Sequence, residues 1–387
     1  MLDFTDTKTA FSIKSNRDIR RAYLMYKLIS YPWLVKMANP MIRFASAIRF
    51  PINWIVKPTV YAQFCGGETI NECAPVITKL KEGGVYSILD YSVEGSEEEE
   101  IIEQALQETL RVIDYAATNE NIPFTVFKPT AFAKSDALEV LSISHSPDAE
   151  SVKEGNKFRQ RVQKLCERAH GYGIPIMIDA EDSWYQEIID QVVMDMMAIY
   201  NKKKPIVFNT YQMYRHDRLE RLKQDHARAR KEQFFVGAKF VRGAYMEKER
   251  ERAEEMGYED PIQPDKPATD RDYNLALKYT LENIDDFAVF NGTHNEESSR
   301  YMAELMDELE IPRNDSRCWF SQLYGMSDHI SFNLAKEGYN VAKYVPYGPV
   351  KFVLPYLMRR AEENTSVKGQ TSRELMLLKK EKDRRKQ

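Results

Sequence analysis

The chain has 387 residues, with 55 Lys and Arg against 59 Asp and Glu and a formal net charge of −4. That length exceeds the usual small domain and fits one large α/β domain with an added segment. A nearly balanced charge removes any global electrostatic case for nucleic acid or a strongly anionic partner, which leaves small-molecule chemistry as the better starting point.

Residues 1–84 read as a helical arm, with amphipathic stretches at Arg17–Met37 and Pro40–Phe50 and breaks at Pro51 and Pro58. Its apolar run of Tyr31, Trp33, Leu34, Val35, Met41, Ile42, Phe44, Ile52, Trp54 and Ile55 is expected to pack as core, with a membrane surface or partner as the alternative. Lys27, Lys36, Arg43, Arg49 and Lys57 break every apolar segment before Phe64, so none is expected to span a bilayer. Asp3 and Asp6 argue against a secretory signal and an acid-poor transit peptide. Cys65, Cys73, Cys166 and Cys318 are scattered without metal spacing and read as reduced, buried thiols of a cytosol-like compartment.

From Gly84 the rhythm changes. Short β-branched or aromatic runs at 85–91, 124–127, 174–179, 205–210, 237–242, 287–291, 318–323 and 340–344 alternate with helical patterns. Eight such units predict an α/β fold of the (β/α)₈ barrel type over residues 85–364, with a doubly wound sheet as the alternative. Helices are expected at Ser96–Ala117, at Ser151–His170 with Gly171 as a left-handed cap, and at Asn295–Leu309. Thr371-Ser-Arg-Glu374 resembles a capping box opening a basic tail, residues 365–387, expected as a solvated terminal helix.

In a barrel the chemistry gathers where strands end. Polar or aromatic groups stand at seven of the eight ends: Lys128, Asp179, Asn209, Lys239 to Tyr245, Thr293-His294, Gln322-Leu323 and Tyr344. Only His294 among the histidines falls at such a place, so no metal is expected. Gly171-Tyr-Gly173 precedes a strand and lacks a third glycine, so it carries no dinucleotide signal. Gly243-Ala244 allows backbone to approach a ligand, and Arg242, Thr269, Thr293 and His294 supply donors for phosphate or ribityl oxygens. On the last helix of the barrel Tyr356, Arg359, Arg360 and Glu363 fall on one face, opposite Leu354, Leu357, Met358 and Ala361. Two neighbouring guanidiniums suit a small carboxylate; the alternative is a solvated face with Arg359 and Glu363 as an i,i+4 pair.

Lys239-Phe-Val-Arg-Gly-Ala-Tyr245, Ile178-Asp-Ala-Glu181, Thr293-His-Asn295, Tyr344 and the Arg359-Arg-x-x-Glu-Asn364 of the closing helix resemble the proline dehydrogenase family in its monofunctional, mitochondrial-type form. The resemblance runs from Val85 to Asn364. It implies a distorted barrel with the last helix over its mouth, holding FAD, which oxidises L-proline to Δ1-pyrroline-5-carboxylate and reduces a membrane quinone. Such an enzyme is expected in the cytoplasm or peripherally at the inner membrane. Carried over by residue, Arg359, Arg360 and Lys128 grip the proline carboxylate, Tyr344, Tyr356 and Leu323 wall its ring, Tyr245 packs nearby and Glu363 orients the arginines. Asn209, Lys239, Val241, Arg242, Gly243, Ala244, Thr269, Thr293, His294 and the backbone of Ala180 contact the flavin. Asp179 and Lys239 take the catalytic places, the first balancing positive charge and the second favouring an anionic reduced ring. Many bacterial relatives have arginine at Lys239, glutamine at Asn209 and tryptophan at Met246. Oxidation of 4-hydroxyproline is the nearest rival, which the Tyr344 ring would crowd, and a non-catalytic barrel is the other.

Overall fold

The computed structural model describes residues 2–31, 33, 53–92, 97–366 and 370–386. The helix expected at Pro40–Phe50, and Leu34, Val35, Met41, Ile42, Phe44 and Ile52, lie outside these residues. In chain order the elements are α1 (Thr7–Ala10), α2 (Asn16–Ile29), an irregular helical stretch over 53–64, α3 (Ile70–Glu82), β1 (Tyr86–Tyr91), α4 (Glu99–Ala117), β2 (Thr125–Phe127), α5 (Ser135–Ile143) and α6 (Ala149–Tyr172). There follow β3 (Ile176–Ile178), α7 (Ser183–Tyr200), β4 (Val207–Gln212), α8 (Arg218–Glu232), β5 (Val236–Val241), α9 (Met246–Met256), α10 (Lys266–Glu282), β6 (Phe287–Gly292) and α11 (Glu296–Glu308). The last are β7 (Cys318–Leu323), α12 (Asp328–Lys336), β8 (Val341–Tyr347), α13 (Val350–Ser366) and α14 (Gln370–Arg384).

The strands form one sheet in the order β1-β8-β7-β6-β5-β4-β3-β2, and every recorded pairing is parallel. Each strand lies beside its neighbour in sequence, except that β1 lies beside β8. This is the order of a (β/α)₈ barrel, and it excludes a doubly wound sheet, whose order reverses midway. The chain groups into two compact units, Val93–Ser321 and Met1–Ser92 with Gln322–Gln387.

In the first unit the enclosed face of the sheet is marked by aromatic rings. Phe124 meets Phe208, Phe290 and Trp319 edge-on, with centroids 5.5, 5.2 and 5.1 Å away. Lys239 is in register with Phe290 and with Thr210, so Thr210, Lys239 and, by alternation, Gln212 share that face. The opposite face meets the helices: Tyr211 donates to Asp225 of α8 at 2.8 Å and Tyr273 of α10 packs on Phe240. Helix α6 is capped at Gly173 with φ 69°, not at Gly171, because the helix continues two residues further before the left-handed residue.

The second unit has a core shared by both chain ends. Phe11, Ile19, Tyr26 and Ile29 pack with Phe64, Tyr356, Leu357, Leu377 and Leu378. Helix α2 opens with a capping box between Ser15 and Asp18. The basic tail is not a solvated helix: Leu377 and Leu378 are 1% exposed, because the leucine pair packs toward this core. The Thr371 side chain of the expected capping box lies outside what the structure describes. Thr371 already lies inside α14, and Glu374 instead accepts the backbone N–H of Ser327 at 2.5 Å. Tyr31, Trp33 and Trp54 are exposed rather than core, as are Leu24 and Leu28 of α2. All four cysteines are buried.

Candidate active site

Lys128 and Asp179, just past the ends of β2 and β3, meet Lys239 from within β5. The Lys239 ammonium donates to Asp179 Oδ1 at 2.5 Å, and Lys128 Nζ stands 4.0 Å from Asp179 Oδ2. Their side chains are only 5, 10 and 16% exposed for Lys239, Lys128 and Asp179. Two ammonium groups facing one carboxylate in a nearly dry place favour an electron-rich or anionic group beside them. The neighbouring loops are pinned. Glu181 accepts the Thr130 N–H at 2.7 Å and its hydroxyl at 2.6 Å, while its own N–H donates to Gln186 Oε1 at 3.0 Å. Ala180 therefore lies between two fixed residues.

Beyond β5, Arg242 donates to Asp270 at 2.8 Å, to Thr293 Oγ1 at 2.7 Å and to Ser298 Oγ at 2.9 Å, and its guanidinium lies 4.3 Å from the Tyr273 ring centroid. Burial alone would raise the Asp270 carboxyl, but bonds from Lys266 and Arg242 hold it below its usual value. Gly243 has φ 122°, and a Cβ there would stand 2.5 Å from the Tyr214 ring, so only glycine fits. Gly243 and Ala244 are exposed and Val241 half-buried. Tyr245 occupies the N-cap position of α9, Thr269 lies in the first turn of α10, and His294 is half-buried after β6.

Asn209 is corrected. It is fully buried on the helix-facing side of β4, where its amide donates to Asp190 at 3.0 Å and its oxygen accepts the Thr210 N–H at 2.9 Å. Asp190 also accepts from Gln186 at 2.9 Å and Arg218 at 2.6 Å; burial would raise this carboxyl, but Arg218 and Arg221 hold it low. The enclosed positions are Thr210 and Gln212, which sequence reasoning missed. Ser321 on β7, in register with Gly292, was missed as well. Gln212 Oε1 and Ser321 Oγ are buried polar atoms with no hydrogen-bond partner among the described residues.

In the other unit Leu323 ends β7, and Tyr344 on β8 is 6% exposed and accepts the Tyr324 N–H through its carbonyl at 2.7 Å. On α13, Arg359 is half-buried and Arg360 is 8% exposed, its guanidinium 5.3 Å from the Tyr356 ring centroid. The helix lacks the two faces expected of it: Leu354, Tyr356, Leu357, Met358 and Arg360 are all buried, and Tyr356 belongs to the apolar core. The Glu363 side chain lies outside what the structure describes.

A model of the proline dehydrogenase family matches residues 73–373. The chain belongs to the proline dehydrogenase family. It is an oxidoreductase, and its reaction is the oxidation of proline. It is 32% identical to "Proline dehydrogenase 1, mitochondrial" of Dictyostelium discoideum over 98% of this chain and 74% of the relative. It is also 32% identical to "Hydroxyproline dehydrogenase" of Xenopus laevis over 99% of this chain and 90% of the relative. Among solved structures, proline utilization A from Bdellovibrio bacteriovorus, inactivated by N-propargylglycine, matches with a TM-score of 0.72 and 20% identity. That match covers 93% of this proline dehydrogenase chain but 38% of the longer one, and it speaks for the fold alone. No helix among the described residues is long and apolar enough to cross a membrane.

Proposed function

We propose that this proline oxidation uses FAD, yields Δ1-pyrroline-5-carboxylate from L-proline, and delivers the electrons to a membrane quinone. The observation that carries the reading is the Lys128–Asp179–Lys239 cluster at the strand ends. Removing hydride from the carbon beside nitrogen needs an electron sink and a fixed carboxylate. The flavin, when bound, supplies the sink. The unpartnered Gln212 and Ser321 oxygens, the exposed backbone of Gly243-Ala244 and the donors around Arg242 are the kind of set that fits its ring edge and its ribityl and phosphate oxygens. Ala180, Val241, Thr269, Thr293 and His294 complete the proposed contacts, while Asn209 supports them from behind. Lys239 attracts negative charge at the ring, with Asp179 holding the lysine.

For the substrate, Arg359, Arg360 and Lys128 are assigned to the carboxylate, with Glu363 orienting the arginines. Leu323, Tyr344, Tyr356 and Tyr245 are assigned to the ring. A bulky phenol at Tyr344 favours proline over 4-hydroxyproline. A peripheral membrane contact fits the outer face of α2, where Arg17, Arg20, Arg21, Leu24, Lys27 and Leu28 are exposed, with Asp18 3.5 Å from Arg21 and the exposed Tyr31 and Trp33 just beyond the helix.

The purified protein is expected to be yellow and to bleach when proline is added. A colourless preparation that FAD does not reconstitute overturns the cofactor. Arg359→Met is expected to raise KM for proline steeply with flavin retained, and an unchanged KM removes the arginine from the site. Equal turnover of proline and hydroxyproline defeats the Tyr344 assignment.

A further inference from the structure

The turn between β7 and α12, residues 323–328, is held by side chains of the arm and tail together with Lys343 of β8. Its Gly325 carbonyl accepts the Tyr26 hydroxyl of α2 and the Gln63 amide, each at 2.9 Å. The Ser327 N–H donates to Glu374 of α14 at 2.5 Å. The buried Lys343 ammonium donates to the carbonyl of Met326, lies 3.4 Å from that of Leu323, and pairs with Asp328 Oδ1 at 2.9 Å. The other oxygen of Asp328 is 2.7 Å from Lys14, in the linker between α1 and α2.

The turn itself is strained. Gly325 has φ 80°, and a Cβ there would fall 2.0 Å from the Gln63 carbonyl; Ser327, which is not glycine, has φ 49°. A side chain held in the left-handed region costs about 1 kcal/mol or more and persists only where its surroundings enforce it. Apart from Lys343 of β8, the enforcing groups sit on the arm and the tail, up to 299 residues away in sequence. What the turn carries is Leu323 at one end, and its Tyr324 N–H is bonded to the Tyr344 carbonyl. Lys343 precedes Tyr344 on β8.

We infer that the arm and tail form a clamp on this turn, and that Tyr26, Gln63, Glu374 and the Lys14–Asp328–Lys343 trio are positioning residues for Leu323 and Tyr344. This rests on the assignment of those two side chains to the proline ring. The chain ends thus take part in substrate fit and do more than cover apolar surface. A purely stabilising role would alter unfolding and leave the Michaelis constant alone.

Full-length Tyr26→Phe, Glu374→Ala and Glu374→Gln variants, each loaded with flavin, test it. Loss of one buried hydrogen bond is expected to raise KM for proline about tenfold in Tyr26→Phe and Glu374→Ala, with kcat changed about twofold or less. Glu374→Gln keeps an acceptor oxygen and is expected to restore KM. Hydrogen exchange over 323–328 is expected to quicken in the first two variants and recover in the third. Faster exchange with KM unchanged, or a KM that rises equally in Glu374→Gln, overturns the clamp. Wild-type protein that does not oxidise proline overturns instead the reading beneath it; should Glu374→Ala not fold, Tyr26→Phe, which loses one oxygen only, decides.

Discussion

Asp179 illustrates how one carboxylate can organise two cations. Its partners are nearly buried, so deleting it leaves ammonium groups without compensation in a place of low polarisability. Asp179→Ala is expected to lower the unfolding free energy by about 3 kcal/mol, and Asp179→Ala with Lys239→Met to recover part of that loss. Urea titrations of the two single variants and the pair check this, and strict additivity counts against coupling. The cluster was legible because a charged residue directly after an apolar run stands out. Asn209 and Thr210 could not be told apart, since all six positions of β4 are buried and no polar alternation shows which side faces in. Gln212 and Ser321 were hidden for the same reason; register against Lys239 for the first and against Gly292 for the second reveals them, and register is not written in one strand.

At the scale of elements, the eight strands could be read because each is short, apolar and bounded by turn residues. The helices were read less well where tertiary contacts override pattern. Helix α13 looked two-faced, with its arginines opposite its leucines, yet Tyr356 and Arg360 are buried with those leucines, and its exposed edge among the described residues is Lys351 and Pro355 instead. Helix α14 looked solvated by its charge, although Leu377 and Leu378 decide its place. Helix α2 shows the converse, with a cationic and apolar outer stripe left uncovered. Each basic side chain near an anionic bilayer contributes about 1 kcal/mol, so reversing Arg17, Arg20 and Lys27 to Glu is expected to weaken binding to anionic vesicles about a hundredfold or more. Co-sedimentation at low ionic strength measures it, and partition that ignores both salt and the substitutions rules this face out.

For the whole molecule, the strand order could be inferred from the count of eight, whereas the grouping of the first 92 residues with the last ones could not, because composition says nothing about contacts between distant segments. That unit carries acid-sensitive links. Burial alone would raise Asp6 and Asp18, but bonds from Thr9 and Lys336 bring Asp6 down to about 2, and those from Lys79 and Ser15 do the same for Asp18. Asp328 is likewise lowered, its burial outweighed by Lys14 and Lys343. Folded carboxyls with depressed values bind fewer protons than unfolded ones, so their stabilisation is complete above about pH 4 and disappears as the pH falls toward 2. The urea midpoint is expected to drop steeply between pH 4 and pH 2, and Asp6→Asn with Asp18→Asn to flatten that slope.

The two ends of the chain are fastened to each other. Lys380 donates to the Thr5 carbonyl at 2.8 Å, and Arg385 donates to the carbonyls of Lys14 and Phe11 at 2.7 and 2.8 Å. Because residues 5–14 and 380–385 lie side by side, the order of the segments along the chain is separable from the architecture they build. A short peptide bridging the present ends, with new ones opened at the exposed lysines 202–204 before β4, would give a circular permutant in which arm and tail are made consecutively.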